Sequence, residues 1–132
     1  MSKIQENRPL SPHLGIYRWQ ITNTLSILHR LTGFGLTIGL IPLSLWLWGA
    51  AYSPELFDCI SQLAASMVGK VFLFGWTFAF YYHFGNGLRH LNWDLGYGFD
   101  LDEVVSSGRV VLAFSGALTI FTWIMVFKKV GM

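Results

Sequence analysis

The stretch His83-Phe84-Gly85-Asn86-Gly87-Leu88-Arg89-His90-Leu91-Asn92-Trp93-Asp94 concentrates the reactive side chains of this chain. It closes an uncharged run, Val71–Leu88, long enough to cross a membrane. An imidazole inside a bilayer is costly unless it is hydrogen-bonded or bound, which makes His83 a functional-site candidate. On a helix His83, Asn86, Gly87 and His90 fall at i, i+3, i+4 and i+7, which is one face. A metal ligand, a small residue one turn on and polar groups at the water edge suit a flat metal–porphyrin lying against a helix. From the residues alone, that reading stands beside a plainer one, a hydrogen bond between membrane helices.

A haem iron takes an axial ligand on one or both faces. His29 precedes the first apolar run, His90 follows the second, and His13 lies further out, so all three are expected to sit shallower than His83. A second axial ligand is therefore expected from a partner chain. His29, Arg30, Arg89 and His90 gather at one membrane face, where they could neutralise haem propionates or snorkel to lipid headgroups. Ser26 and Arg30 are i, i+4 and share a face. A hydroxyl beside a guanidinium can hydrogen-bond a quinone carbonyl and stabilise the anion formed on its reduction. A Ser near a helix start can equally be a cap. Gly33, Gly35 and Gly39 read as close-packing contacts between helices.

The elements that must position these residues are legible in the charge pattern. Of 132 residues, 53% are hydrophobic and only 12% are charged, about half the charged share of a soluble domain. Three uncharged runs, Leu31–Tyr52, Val71–Leu88 and Val110–Phe127, predict an all-α integral membrane bundle of three transmembrane helices. They extend over about 25–52, 68–90 and 109–128, in a single membrane-anchor domain of residues 1–132. A polar N-terminal segment with Pro9 and Pro12 precedes them and is expected to be extended. Pro42 is expected to kink the first helix, and Trp46 and Trp48 to lie near the headgroups. Ser53–Gly69 reads as a short link and Arg89–Arg109 as a polar loop.

Three spans put Lys3, Arg8, Arg18, Arg30, Arg89 and Arg109 on one side, and Lys70, Lys128 and Lys129 on the other. The excess places the N-terminus on the cytoplasmic or matrix side, although the terminal Lys pair works against it. The +2 charge is scattered, which gives no basis for nucleic-acid binding. The single cysteine, Cys59, excludes an internal disulfide and reads as a small apolar residue. Residues Ser2–Arg8 resemble neither a signal peptide nor a transit peptide. The expectation is a bacterial protein, or an organelle protein that is mature or encoded within the organelle.

Three segments together resemble the cytochrome b subunit of succinate dehydrogenase, the larger membrane anchor of complex II. They are Arg8-Pro9-Leu10-Ser11-Pro12-His13-Leu14 with Ile16-Tyr17-Arg18, then Ser26-Ile27-Leu28-His29-Arg30-Leu31-Thr32-Gly33, then His83–Asp94. Asn86-Gly87 also matches the family. The resemblance implies a haem b with His83 as axial ligand and a second histidine from a smaller anchor subunit. It implies ubiquinone reduction near Ser26 and Arg30, beside an iron–sulfur subunit. Succinate would be oxidised on a flavoprotein subunit, since this chain has no dinucleotide fingerprint and no iron–sulfur cysteine set. The expected location is a bacterial inner or mitochondrial inner membrane. The alternatives are a quinol:fumarate reductase anchor, a structural anchor without haem, and a proton-conducting subunit with His83 as relay.

Overall fold

A computed structural model describes Ile16 and residues 18–130. The entry segment around Pro9 and Pro12, His13 and most of the first resembling segment lie outside the described residues. Among those described, the chain is all-α, with four helices: α1 Ile21–Tyr52, α2 Pro54–Ala65, α3 Met67–Asp94 and α4 Leu101–Val130.

α1 runs 32 residues, about 48 Å at the usual rise, and continues as a helix through Pro42. It stops at Ser53, whose extended backbone starts α2. The expected link over Ser53–Gly69 is thus a helix, and the local chemistry explains it. The Ser53 hydroxyl accepts from the Leu56 amide, Pro54 opens the helix, and Glu55 sits in the first turn. Those are an N-cap residue, a residue that lacks the amide a first turn leaves unpaired, and a charge suited to the positive helix end. Ser66 repeats the capping for α3 by accepting from the Gly69 amide at 3.1 Å. Between α2 and α3 the axis bends by 81°. A Cβ at Gly69 would stand 2.7 Å from Ala64 Cα and collide with the Leu63 carbonyl, so this corner requires glycine.

The second correction falls between α3 and α4. Of the stretch expected as a polar loop, only residues 95–100 lack helix. Charged residues at helix ends are solvated where a helix emerges from the bilayer, and Asp102 and Glu103 in the first turn of α4 suit its dipole. The turn is tied back by Trp93 Nε1, which donates to the Gly98 carbonyl at 2.8 Å.

α3 and α4 pack antiparallel. Tyr81 shares a hydroxyl bond with Thr122 at 2.9 Å, and Trp123 Nε1 donates to Thr77 Oγ1 at 3.4 Å. The interior reverses the pattern of a soluble protein. Leu25 and Tyr82 are the buried hydrophobics, whereas Asn86, Arg89, Ser115 and Thr119 are buried polar residues and large apolar side chains point outward along every helix. Ser115 and Thr119 return their hydroxyls to α4 carbonyls at 2.7 Å, leaving small faces on which membrane helices approach closely. Trp46, expected near headgroups, donates to Ser61 Oγ at 2.9 Å and joins α1 to α2. α1 and α4 are each long and apolar enough to cross a membrane, and α2 with α3 qualifies only as a bent pair.

Candidate functional site

His83 lies on α3 facing α1. Its Nδ1 is 3.1 Å from the His29 carbonyl and 3.3 Å from Thr32 Oγ1. The Thr32 hydroxyl has one proton, directed at the carbonyls of Leu28 (2.8 Å) and His29 (3.0 Å) of its own helix. Thr32 Oγ1 is therefore an acceptor toward His83, and a carbonyl can only accept. Both partners assign the proton to His83 Nδ1 and leave Nε2 with a lone pair. Nε2 has no partner among the described residues and is not among their enclosed unpaired polar atoms. A ring fixed through Nδ1–H to a carbonyl, with Nε2 open, is the usual state of a metal-binding histidine.

Gly33 makes this placement possible. A Cβ there would stand 2.8 Å from His83 Cε1 and 3.4 Å from Nδ1. The residue read as a packing contact is thus the floor beneath the candidate ligand. Gly35, two residues on, has open space where a Cβ would go.

The structure differs from the expected ladder of depths. His29 stacks face to face on His83, with ring centroids 4.0 Å apart and planes 8° apart, so it is level with His83 rather than shallower. The register of α1 against α3 is set by the Tyr82 hydroxyl, which donates to the Leu25 carbonyl at 2.8 Å, and this draws the lead-in turn alongside. His90 is also close, with its centroid 5.0 Å from that of His29. Three imidazoles thus form one cluster, with His29 Nδ1 buried and unpartnered. No group of three or more His, Cys, Asp or Glu among the described residues is set to hold a metal ion.

Arg89 does not join the face-on group of His29, Arg30 and His90. It is buried, donating through Nε to Ser107 Oγ at 2.9 Å, through Nη1 to Asn86 Oδ1 at 3.1 Å and through Nη2 to the Val104 carbonyl at 2.6 Å. Its guanidinium carbon lies 4.1 Å from the Trp93 ring centroid. Turning inward satisfies its donors while the aromatic face offsets its charge. Asn86, read at sequence level on the His83 face, is spent on this network. The signal for it was available, since Asn86 and Arg89 are i, i+3.

Ser26 and Arg30 are exposed on α1. Ser26 is the sixth residue of that helix, and its N-cap is Gln20, so the capping reading of Ser26 falls away. With His29 and Gly33 they fall at i, i+3, i+4 and i+7, and form a single stripe running to the His83 ring.

Long helices with apolar side chains outward, one polar stripe and clustered imidazoles between two of them define a membrane subunit. The chain belongs to the family of succinate dehydrogenase/fumarate reductase transmembrane subunits, whose family model matches residues 4–122. It is 41% identical to the succinate dehydrogenase cytochrome b556 subunit of Rickettsia felis, over 92% of this chain and 95% of that protein. Its identity to the cytochrome b556 subunit of Paracoccus denitrificans is 39%, over 92% of this chain and 93% of that one. To the mitochondrial cytochrome b560 subunit of Sus scrofa it is 42%, over 80% of this chain and 64% of the relative.

Proposed function

We propose that this chain is the cytochrome b membrane anchor of a succinate dehydrogenase, holding haem b through His83 and forming part of the ubiquinone-reduction site. The observation that carries the haem assignment is the fixed Nδ1–H of His83, which presents Nε2 above a glycine floor. The residues fit the group. One open imidazole nitrogen suits an iron whose equatorial positions a porphyrin fills. Haem, when bound, supplies a one-electron site. The protein's part is to hold His83 in one tautomer and one plane, through His29, Thr32 and Gly33. His29, Arg30 and His90 are assigned to the propionates. A further histidine for the haem would come from a smaller anchor subunit, since His29 is committed to lying flat against the His83 ring.

Ser26 and Arg30 are assigned to the quinone. A hydroxyl and a guanidinium already fixed on one helix face stabilise charge developing on a carbonyl oxygen without reorganising. Electrons reach this site from an iron–sulfur subunit, and succinate is oxidised on a flavoprotein subunit. α1, α4 and the bent pair α2–α3 are assigned as three spans of a bacterial or mitochondrial inner membrane, with the N-terminus on the cytoplasmic or matrix side. The test of the haem assignment is His83→Leu in the assembled complex. Haem is expected to be lost or left high-spin with one ligand, and an unchanged low-spin spectrum at full haem content would overturn it.

A further inference from the structure

Ser26 and Arg30 leave α1 from two peptide groups that α3 holds directly. The Leu25 carbonyl, which shares a peptide plane with the Ser26 amide, accepts from the buried Tyr82 hydroxyl at 2.8 Å. The His29 carbonyl, which shares a plane with the Arg30 amide, stands 3.1 Å from His83 Nδ1. Two consecutive residues of α3 thus take the two oxygens that lead into Ser26 and Arg30, one helical turn apart on α1.

The hold on Ser26 has the larger consequence. Ser26 is exposed. Thr32 and Thr37 return their hydroxyls to α1 carbonyls, but the Ser26 hydroxyl makes no such bond among the described residues. The backbone of its own turn, and no side-chain contact, therefore aims it. That backbone is gripped from two sides. The Leu25 side chain seats on α4, where a Cβ at Gly108 would collide with Leu25 Cδ1, and the Leu25 carbonyl is held by α3. Leu25 is 1% exposed and Tyr82 0%, so water does not compete for the bond. The Leu25 carbonyl also accepts the His29 amide within the helix. It stays satisfied without Tyr82, so removing that hydroxyl loosens the turn without stranding a buried acceptor.

We propose that Tyr82 is a positioning residue for quinone reduction, fixing through the Leu25 carbonyl the peptide from which Ser26 is aimed. The proposal rests on the assignment of Ser26 to the quinone. Tyr82 itself makes no contact with the quinone, because its hydroxyl is committed inside the bundle while Ser26 faces outward.

The test measures reduction of a short-chain ubiquinone per mole of assembled complex in Tyr82→Phe, Ser26→Ala and the double variant. Tyr82→Phe keeps the buried ring and removes the hydroxyl alone. Misplacing a reacting group by about 1 Å costs up to about a hundredfold in rate, so kcat is expected to fall about tenfold with KM little changed. Because Tyr82 acts through Ser26, the double variant should be no slower than Ser26→Ala. A wild-type kcat in Tyr82→Phe beside a slow Ser26→Ala would overturn this proposal and leave the quinone assignment standing. A wild-type rate in Ser26→Ala would remove that assignment and this proposal with it. Losses that multiply in the double variant would place the effect of Tyr82 elsewhere, and a Tyr82→Phe complex that fails to assemble would make the hydroxyl a folding element. Either result overturns the proposal.

Discussion

At the scale of single residues, the site turns on a glycine whose side chain is missing for a reason. At position 33 even one methyl group would stand 2.8 Å from His83 Cε1, closer than real carbon contacts permit, so the ring would have to move. At position 35 the same methyl group would meet nothing within 4 Å. Gly33→Ala is therefore expected to tilt the His83 ring away from the His29 carbonyl. Haem content should fall, or the haem reduction potential should shift, in the assembled complex. Gly35→Ala should leave both unchanged, because a helix gains up to about 1 kcal/mol from that exchange and a Cβ there meets no neighbour. Spectra and potentiometric titrations of the two variants check this, and equal behaviour of the pair would remove Gly33 from the site. His83 itself was legible in the sequence, because an imidazole in an uncharged run is conspicuous whatever surrounds it. Its partners were not. The His29 carbonyl and the Thr32 hydroxyl belong to another helix, and only the register of α1 on α3 joins them to His83.

At the scale of helices, the register is held by polar bonds, since among the described residues only Leu25 and Tyr82 supply a buried hydrophobic core. Arg89 is the strongest of these ties, joining α3 to the first turns of α4 through Ser107 and Val104. Arg89→Leu would take from buried Asn86 Oδ1 and half-buried Ser107 Oγ the donor each has in the structure, while the Val104 carbonyl keeps the Ser107 hydroxyl. Loss of a charged partner from such a network costs about 2–4 kcal/mol. The expected outcome is a complex that dissociates or melts at clearly lower temperature, measured by thermal unfolding in detergent. His83 is left intact, so haem that remains bound should keep its low-spin spectrum. A wild-type melting curve would show that the network is incidental. The three long apolar runs were readable because membrane insertion depends on length and hydropathy, which one sequence states directly. α2 was missed for the opposite reason. Twelve residues with Glu55 and Asp58 have too little apolar length to signal a span, so Ser53–Gly69 reads as a link although Ser53-Pro54-Glu55 is a helix-start pattern. The loop expected over Arg89–Arg109 failed similarly. Charge ends a hydrophobic run, but it does not end a helix.

At the scale of the whole molecule, the polar stripe of α1 runs from His83 toward the outer turns of the helix, where Ser26 and Arg30 are exposed. A quinone held there would lie close to the imidazole proposed to hold haem and close to the charged end of the bundle, where a soluble electron donor can dock. Ser26→Ala and Arg30→Leu should each cut quinone reductase activity of the assembled complex strongly. One preorganised donor to a developing oxyanion is worth about 3–4 kcal/mol, roughly a hundredfold or more in rate. Succinate oxidation measured with an artificial acceptor that takes electrons from the soluble subunits should stay nearly intact, because that chemistry is assigned to the flavoprotein subunit. Arg30 is also assigned to a haem propionate, so its variant mixes two effects. Ser26 is the cleaner probe, since its hydroxyl has no bond within the described residues and no cap to maintain. Wild-type quinone reduction in both variants would move the site elsewhere, and so would equal loss of both activities in a complex that remains assembled.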